Sequence, residues 1–421
     1  MNWQQIGASW GLSTETLQLA QRAEHDVAQL WQEYDELGRT NHLKVLGACQ
    51  DFGLGAHHFA SSTGYGYGDL GREALEGIFS NYFGTEAALV RPQIASGTQA
   101  ISAALFGLLR PGDELLSITG PPYDTLRTVI GTEGNAIGTL GEWGITYREV
   151  PLFGGRANLE AIAEAIGPKT RVVAIQRSRG YSWRPAFTIE EIRQQVQAVR
   201  SVSRAIIFCD NCYGEFVEEL EPTHVGVDVI AGSLIKNPGG ALAPYGGYLA
   251  GKEELIERIA NQITAPGLGR EVGGSAGLAR LLLQGFFQAP LVVAEALAGA
   301  TFVSRLFELA GFPASPKSQE RRGDIVAAIE LGSAQRLEAF CRAIQLAGPV
   351  DSDVTPIGAP MAGYSNQVIM AGGTFIDGSS IELSADGPLC APYIAYLQGG
   401  ICRSQVQIAS CLALEAVRKI S

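Results

Sequence analysis

Between residues 88 and 250, short apolar runs alternate with amphipathic stretches, which restricts the folds available to this chain. Most of the amphipathic stretches have helical periodicity, at residues 99–109, 123–130, 158–166 and 189–202. The apolar runs have the length of strands and fall at residues 88–90, 114–119, 146–150, 171–176, 204–209, 228–232 and 247–250. This pattern predicts an α/β fold with a mainly parallel, doubly wound sheet that helices cover on both faces.

The length of 421 residues predicts more than one domain. A helix with an apolar face is expected over residues 14–45, and residues 1–60 are interpreted as an N-terminal arm. Residues 61–288 contain the alternating pattern, after a helix at 73–82, and are the predicted large domain. Residues 289–421 are expected to form a smaller C-terminal α+β domain. Its predicted helices lie at 291–309, 334–345 and 406–420, and its predicted strands at 367–370 and 380–383.

Composition and net charge limit the classes of binding partner and the cellular compartment that the sequence predicts. Hydrophobic residues make up 46% of the chain, as in a well-packed globular protein, and the net charge of −12 disfavours nucleic acid as a partner. No uncharged apolar run reaches the ~18 residues of a membrane span, and no signal peptide is seen. The odd number of cysteines, seven, predicts reduced thiols in the cytoplasm. Cys209 and Cys212 are spaced like half of a zinc site, but no second pair follows, so no metal site is predicted.

A lysine and an aspartate stand out within the alternating region. Lys236 lies in the run 232–240, which otherwise consists of small, apolar and amide side chains. A free ammonium group there is costly, whereas a Schiff base removes the charge and gives the amine a chemical role. Asp210 directly follows the apolar run 205–209 and needs a cationic partner, which a pyridinium ring supplies. The pair therefore predicts an enzyme dependent on pyridoxal 5′-phosphate (PLP); a surface lysine and a turn-capping aspartate are the alternatives.

Other positions would complete a PLP site. Ser96, Gly97 and Thr98 follow a strand and open a helix, where backbone N–H groups and hydroxyls can bind a phosphate. Ser233 lies three residues before Lys236 and can reach the same phosphate. Tyr123 stands at the next strand-to-helix turn, where its ring can stack on the pyridine ring, and it joins Lys236 as a predicted catalytic residue. A capped helix, a turn serine and a core aromatic residue are the respective alternatives.

A basic segment ends another predicted strand. Residues 176–185 include Arg177 and Arg179. Arginines at the carboxyl ends of strands can bind carboxylate or phosphate through paired hydrogen bonds. Both are therefore candidates for substrate binding, with Arg179 placed near the cofactor O3′ or a substrate anion; a solvated basic loop is the alternative.

With these residues in view, the chain resembles the methionine γ-lyase-like, or aluminium resistance, family of PLP enzymes, which are kin to the cystathionine lyases. The matching stretches are residues 63–67, 71–72, 96–98, 122–126, 176–185, 210–216, 232–240 and 381–386. The resemblance implies the fold-type-I PLP-dependent transferase fold. It also implies a Schiff base at Lys236, Asp210 as the partner of the ring nitrogen, stacking by Tyr123, and a phosphate cup formed by residues 96–98 and Ser233.

The resemblance further implies a homodimer or homotetramer with active sites shared between subunits. The loop from residue 65 to residue 72 would reach into the neighbouring site. Related lyases hold the phosphate with a tyrosine and an arginine of the partner subunit, and Tyr65 or Tyr67 with Arg72 are the candidates in this chain.

The sequence departs from the family pattern where substrate would bind. Gln99 replaces a usual histidine, and Cys390 replaces a usual arginine before a Pro-Tyr pair. If the missing arginine bound the substrate carboxylate, an interaction worth roughly 1.5–3 kcal/mol is lost. Arg403, in the unusual run 401–405, could substitute from a shifted position; otherwise the substrate is different or larger.

These residues lead to one predicted function and several alternatives. We expect action on a sulfur-containing, methionine-like amino acid, by proton removal at Cα and Cβ and loss of the γ-sulfur group. One alternative is γ-replacement or carbon–carbon bond formation through a vinylglycine-type intermediate, from S-adenosylmethionine or a similar donor. An aminotransferase is a second alternative, and a PLP-fold protein that only binds ligands is a third, which the presence of both Lys236 and Asp210 disfavours.

Overall fold

The computed structural model describes residues 3–361 and 363–420. Its helices are α1 (Trp3–Trp10), α2 (Thr14–Phe52), α3 (Leu70–Phe83), α4 (Gly97–Leu108), α5 (Asp124–Ile130), α6 (Leu159–Ala165), α7 (Ile189–Val202), α8 (Glu253–Ile263), α9 (Ala279–Leu309), α10 (Ala334–Leu346) and α11 (Arg403–Arg418). Its strands are β1 (Ala87–Arg91), β2 (Glu114–Ser117), β3 (Thr146–Glu149), β4 (Thr170–Gln176), β5 (Ile206–Asp210), β6 (Val229–Ser233), β7 (Gly247–Gly251), β8 (Ala314–Ser315), β9 (Val326–Glu330), β10 (Val368–Ala371), β11 (Ser384–Pro388) and β12 (Ile394–Gln398).

The larger sheet has the strand order β1-β7-β6-β5-β4-β2-β3 in the described residues. Strands β2 to β6 pair in parallel, whereas β7 is antiparallel to both β6 and β1. Apolar clusters cover both faces, one including Phe79 and Phe286 and the other including Leu105 and Ile259. The predicted α/β class with a mainly parallel sheet covered by helices is therefore confirmed.

The smaller sheet lies in the C-terminal part of the chain and is antiparallel, in the order β10-β11-β12-β9-β8. Helices α10 and α11 pack on it, with Leu337, Phe340 and Leu414 in the shared core. The predicted strand at 380–383 is wrong, because β11 begins only at Ser384. The backbone of Ile381 instead hydrogen-bonds to Ile235 and Gly400. This segment therefore contacts the loop just before Lys236 and is not part of the sheet.

Helix α9 connects the two halves. It is long and apolar enough to cross a membrane, but most of its surface is buried within the protein, as in a core helix. The predicted domain boundary at residue 288 falls inside this helix, which runs on unbroken from Ala279 to Leu309. The 39-residue α2 packs along it, and the indole of Trp31 donates a hydrogen bond to the carbonyl oxygen of Ala298.

Candidate active site

Lys236 lies three residues after the end of β6, at the start of a short 3₁₀ turn, Asn237–Gly239. Pro238 fixes the backbone of this turn, and the Asn237 side chain anchors it by donating a 2.8 Å hydrogen bond to the carbonyl oxygen of Glu215. The ammonium Nζ lies 4.2 Å from the centre of the Tyr213 ring. Within the described residues, this nitrogen has no hydrogen-bond or ion-pair partner.

Asp210 reaches the same edge of the sheet because it ends β5, the neighbour of β6. The two strands pair in parallel with Asp210 opposite Ala231, so their carboxyl ends lie together. The carboxylate accepts a 3.1 Å hydrogen bond from the backbone N–H of Cys212. Burial raises the pKa of Asp210, and the nearby charge of Lys236 opposes this. Asp210 and Lys236 line one cavity.

Electrostatics keep the amine of Lys236 charged when nothing is bound to it. Burial disfavours the ammonium, but the acidic groups around it, Cys212, Tyr213 and Asp210, raise its pKa above the ordinary value. The nitrogen must therefore lose a proton before it can act as a nucleophile.

Tyr213 was not singled out from the sequence, yet the face of its ring contacts the ammonium group of Lys236. Its backbone is left-handed, with φ 66°, which is strained for a residue with a side chain. Its hydroxyl donates a 3.0 Å hydrogen bond to the carbonyl oxygen of Ser379 in the smaller domain. The signals available in the sequence were the position of this tyrosine three residues after Asp210 and its place in the stretch 210–216 that matches the family.

Tyr123 lies at the start of α5 and lines the same cavity. Its backbone N–H donates a 2.7 Å hydrogen bond to Gln176 Oε1, and its hydroxyl hydrogen-bonds the hydroxyl of Tyr364. Gly180 makes room for the ring: a Cβ there would lie 2.8 Å from Tyr123 Cδ2, and the φ of +56° also favours glycine.

The predicted phosphate cup is assembled at the start of α4. Ser96 caps this helix by accepting a hydrogen bond from the N–H of Gln99, and the Thr98 hydroxyl lies 3.3 Å from that of Thr125. Gly97 faces Ser233 so closely that a Cβ on it would lie 3.1 Å from the Ser233 Cβ. A side chain at Gly97 would fill the space between α4 and the end of β6.

The donor set fits PLP. An amine, a carboxylate and an aromatic ring line one cavity at Lys236, Asp210 and Tyr123. A helix N-terminus with a glycine in close approach stands beside Ser233, where backbone N–H groups favour a phosphate. These residues suit the aldehyde, the ring nitrogen, the ring face and the phosphate of the cofactor.

The far wall of the cavity comes from residues that the sequence interpretation left without a role. On the large-domain side Tyr181 lines the cavity, and on the small-domain side Ser379, Asp386, Tyr396 and Gln398 do so. Asp386 accepts hydrogen bonds from the Ser379 hydroxyl at 3.2 Å and from Gln398 Nε2 at 3.1 Å. Tyr181 and Asp386 fall in stretches that match the family, which was the only sequence signal for them.

The two arginine candidates differ in their surroundings. The guanidinium group of Arg177 is buried and donates to Asn211 Oδ1 at 2.9 Å, the Gly214 carbonyl at 2.8 Å and Glu218 at 3.1 Å, so it braces the turn after β5. Arg179 is 1% exposed, and none of its three guanidinium nitrogens has a hydrogen-bond partner within the described residues. Burial lowers its pKa, which nearby Asp324 opposes.

Neither arginine lines the main cavity, and the remaining predicted substrate residues also lie outside it. Gln99 is exposed, and its Oε1 accepts a 2.6 Å hydrogen bond from the N–H of Ala95. Arg403 donates to Glu295 Oε1 at 2.9 Å and 2.6 Å and also pairs with Asp35, so carboxylates of α2 and α9 occupy its guanidinium group. Cys390 lines an adjoining cavity that shares Tyr181 with the main one.

The loop of residues 65–72, predicted to reach a neighbouring subunit, is fixed by hydrogen bonds and carries two exposed aromatic rings. Tyr65 and Tyr67 are 73% and 63% exposed, and their ring centroids lie 5.7 Å apart. Arg72 is buried and donates hydrogen bonds to the carbonyl oxygens of Gly66 at 2.8 Å and Glu271 at 3.1 Å. Arg72 therefore fixes the loop within its own chain.

Comparison with known proteins assigns the family. The methionine gamma-lyase family model matches residues 16–418. The chain belongs to the methionine gamma-lyase family. It is 50% identical to the uncharacterized protein YnbB of Bacillus subtilis (strain 168) over 401 residues, which cover 94% of this chain and 95% of that protein. A carbon–sulfur lyase involved in aluminum resistance from Clostridium novyi NT is 45% identical, with a TM-score of 0.94 over 99% of each chain. The expected family is thus confirmed.

A more distant sequence relative and a more distant structure are also similar to this chain. The L-methionine gamma-lyase of Pseudomonas putida is 28% identical over 189 residues, which cover 44% of this chain and 42% of that enzyme. The structure of a candidate O-acetylhomoserine (thiol)-lyase from Campylobacter jejuni is 18% identical to this chain. The match covers 82% of this chain and 86% of that protein, with a TM-score of 0.57, so the two share the fold. That structure contains N′-pyridoxyl-lysine-5′-monophosphate. At family level, the chain is a PLP-dependent carbon–sulfur lyase.

Proposed function

We propose that this enzyme cleaves the Cγ–S bond of a methionine-like amino acid by γ-elimination. The observation that carries the proposal is the meeting of Lys236, Asp210 and Tyr123 in one cavity of a chain from the methionine gamma-lyase family. For methionine and water, the products would be 2-oxobutanoate, methanethiol and ammonia.

PLP, when bound, withdraws electrons from the substrate carbon next to the amino group. Lys236 would hold the cofactor aldehyde and, once free and neutral, take the α-proton as general base. Asp210 would keep a proton on the ring nitrogen, and Tyr123 would cover one face of the ring. Residues 96–98 and Ser233 would bind the phosphate.

Arg179 is the proposed partner of the substrate carboxylate. Its guanidinium group is buried without a hydrogen-bond partner within the described residues, while Ser178 and Gly180 on either side of it line the cavity. A buried, unpaired arginine gains strongly from a carboxylate ligand. This would compensate for the cysteine at position 390, since Arg403 is held by Glu295 and Asp35.

The proposed assembly is a homodimer or homotetramer with shared active sites. The exposed pair of Tyr65 and Tyr67 on a rigid loop supports it, because large exposed aromatic side chains are enriched at protein interfaces. In this arrangement a tyrosine of the loop would reach the phosphate of the neighbouring site, with Arg72 holding the loop in position.

Product analysis tests the proposal. Purified enzyme loaded with PLP is incubated with L-methionine, L-homocysteine, L-cystathionine and S-adenosylmethionine, and thiol or thioether, 2-oxo acid and ammonia are quantified. Equal amounts of sulfur product, 2-oxo acid and ammonia from at least one substrate are expected, and none from Lys236→Ala. Formation of pyridoxamine phosphate without a sulfur product would refute the proposal and identify an aminotransferase.

γ-Replacement is the second candidate, because Cys390 stands where an arginine is usual in the family and a related cystathionine gamma-synthase from Mycobacterium tuberculosis shares 26% identity over 198 residues. The same assay separates the two reactions. In replacement, sulfur release would depend on an added nucleophile, and a coupled amino acid would form in place of the 2-oxo acid.

A further inference from the structure

The wall of the cavity that faces the smaller domain combines aromatic rings with a carboxylate. Tyr181 is the central ring: its centroid lies 5.8 Å from that of Tyr123, 5.7 Å from that of Tyr364 and 5.1 Å from that of Tyr396. Asp386 lines the cavity together with Tyr181 and Tyr396. We call Tyr123, Tyr181, Tyr396 and Asp386, which line this cavity, the tyrosine–aspartate wall; Tyr364 lines the adjoining cavity.

Asp386 is a buried carboxylate without a cation. It is 4% exposed, and its hydrogen-bond donors, Ser379 and Gln398, are both neutral. No arginine, lysine or histidine of the described residues lies within ion-pair distance of it. A buried negative charge normally has a positive partner, and here the charge that opposes the rise that burial causes in the pKa of Asp386 is that of Lys236, which lies beyond ion-pair distance.

The charges of the cavity lining, considered with the cofactor bound, also point to Asp386. The cavity contains two carboxylates, Asp210 and Asp386, and one amine, Lys236. Under the proposed function, Asp210 pairs with the ring nitrogen and Lys236 loses its charge when it holds the aldehyde. Asp386 then remains a carboxylate of the cavity lining without a cationic side chain of the described residues within ion-pair distance, and a cation on the substrate can pair with it.

Aromatic faces beside a carboxylate favour a cation. The faces of tyrosine rings attract positive charge, and aromatic cages are used for onium groups. The cavity already shows this contact, because Lys236 Nζ lies 4.2 Å from the centre of the Tyr213 ring. A substrate carboxylate, in contrast, would be repelled by Asp386.

We propose that the tyrosine–aspartate wall binds a positively charged group on the leaving-group side of the amino-acid substrate, either a sulfonium or a distal ammonium. This inference rests on the proposed function and narrows its substrate class. A neutral thioether such as methionine would be a poorer ligand than a cationic analogue of the same size.

Equilibrium binding tests the inference without relying on turnover. Lys236→Ala enzyme in saturating PLP is used in equilibrium dialysis with S-methyl-L-methionine and with L-ethionine, which has the same number of heavy atoms but no charge. S-Methylmethionine is expected to bind on the order of tenfold more tightly. A second pair, L-cystathionine and S-(2-carboxyethyl)-L-homocysteine, tests the distal ammonium in the same way. Preference for either cationic ligand supports the inference and names the group, whereas no preference in either pair overturns it.

Variants then locate the charge recognition. In the Lys236→Ala background, Asp386→Asn should abolish the preference, and Asp377→Asn, the same charge change at an exposed residue of the same domain, should leave it intact. If Asp386→Asn fails to fold, Tyr396→Leu should still reduce the preference severalfold, because it removes one ring. A preference that survives these changes would place the cation elsewhere and refute the inference. Wild-type enzyme that releases sulfur product from methionine and ethionine would still uphold the proposed function in that case.

Discussion

At the scale of residues, the site depends on Asp210, whose carboxylate is positioned by the backbone of Cys212. Asp210→Asn keeps an oxygen that can accept this hydrogen bond but removes the charge that would hold a proton on the ring nitrogen. We expect kcat/KM to fall roughly ten- to a hundredfold, the equivalent of one charge-assisted hydrogen bond. Steady-state kinetics measure this, with exposed Asp377→Asn as the matched control, and equal loss in both variants would contradict it.

The charge on Lys236 leads to a pH dependence of cofactor loading. Its pKa lies above the ordinary value, so the amine is protonated at neutral pH and the reactive neutral fraction rises as pH increases. The rate of PLP uptake by cofactor-free protein should therefore increase between pH 7 and pH 9. Stopped-flow absorbance follows this uptake, and Lys236→Ala provides the baseline. A flat pH profile would argue against an ammonium group at this position.

At the scale of elements, a buried glutamate in the turn after β5 titrates near neutrality. Burial raises the pKa of Glu215 to about 8, even though Tyr248 donates a 2.7 Å hydrogen bond to it. The folded state then binds a proton that the unfolded state releases, so stability decreases as pH rises from the unfolded pKa towards about 8.

Glu215→Gln should remove that part of the pH dependence, since the amide oxygen can still accept the hydrogen bond from Tyr248. Between pH 5 and pH 8, the wild-type free energy of unfolding should fall more steeply than that of the variant, by up to ~1.4 kcal/mol per pH unit. Urea unfolding at several pH values measures the slopes. Parallel slopes for the two proteins would disprove the assignment.

The site residues that the sequence predicted well are those whose position follows from a strand next to them in the chain. Asp210 ends an apolar strand, Lys236 and Tyr123 each follow one, and the parallel strands β6, β5, β4 and β2 have their carboxyl ends at one edge of the sheet. Asp386, Tyr396 and Gln398 could not be found in this way, because they reach the cavity only when the smaller sheet packs against the larger domain. Tyr213 was missed because its place under the lysine depends on a left-handed backbone that no residue pattern indicated.

At the scale of the whole molecule, the proposed assembly would make the loop with Tyr65 and Tyr67 a link between subunit association and catalysis. The Asp69 carboxylate helps to hold this loop by accepting hydrogen bonds from the backbone N–H groups of Arg72 at 2.8 Å and Ser275 at 3.0 Å. Replacing both exposed tyrosines by alanine should leave the fold intact, because their rings contribute little to the core of one chain.

The double variant should nevertheless dissociate at concentrations where the wild type remains assembled, and it should bind PLP more weakly. Sedimentation velocity measures the first effect and PLP titration the second. The matched control is Phe153→Ala, which removes an exposed aromatic ring far along the chain from the loop. Unchanged assembly together with unchanged PLP affinity would rule out a role of the loop between subunits.

Helix α9 passes through the position where a two-domain description would divide the chain. If the chain were divided at residue 288, each fragment would therefore contain only part of α9. The buried face of this apolar helix belongs to both hydrophobic cores. Neither fragment would have a complete interior, so separately expressed halves should precipitate, and they should recover solubility only when produced together.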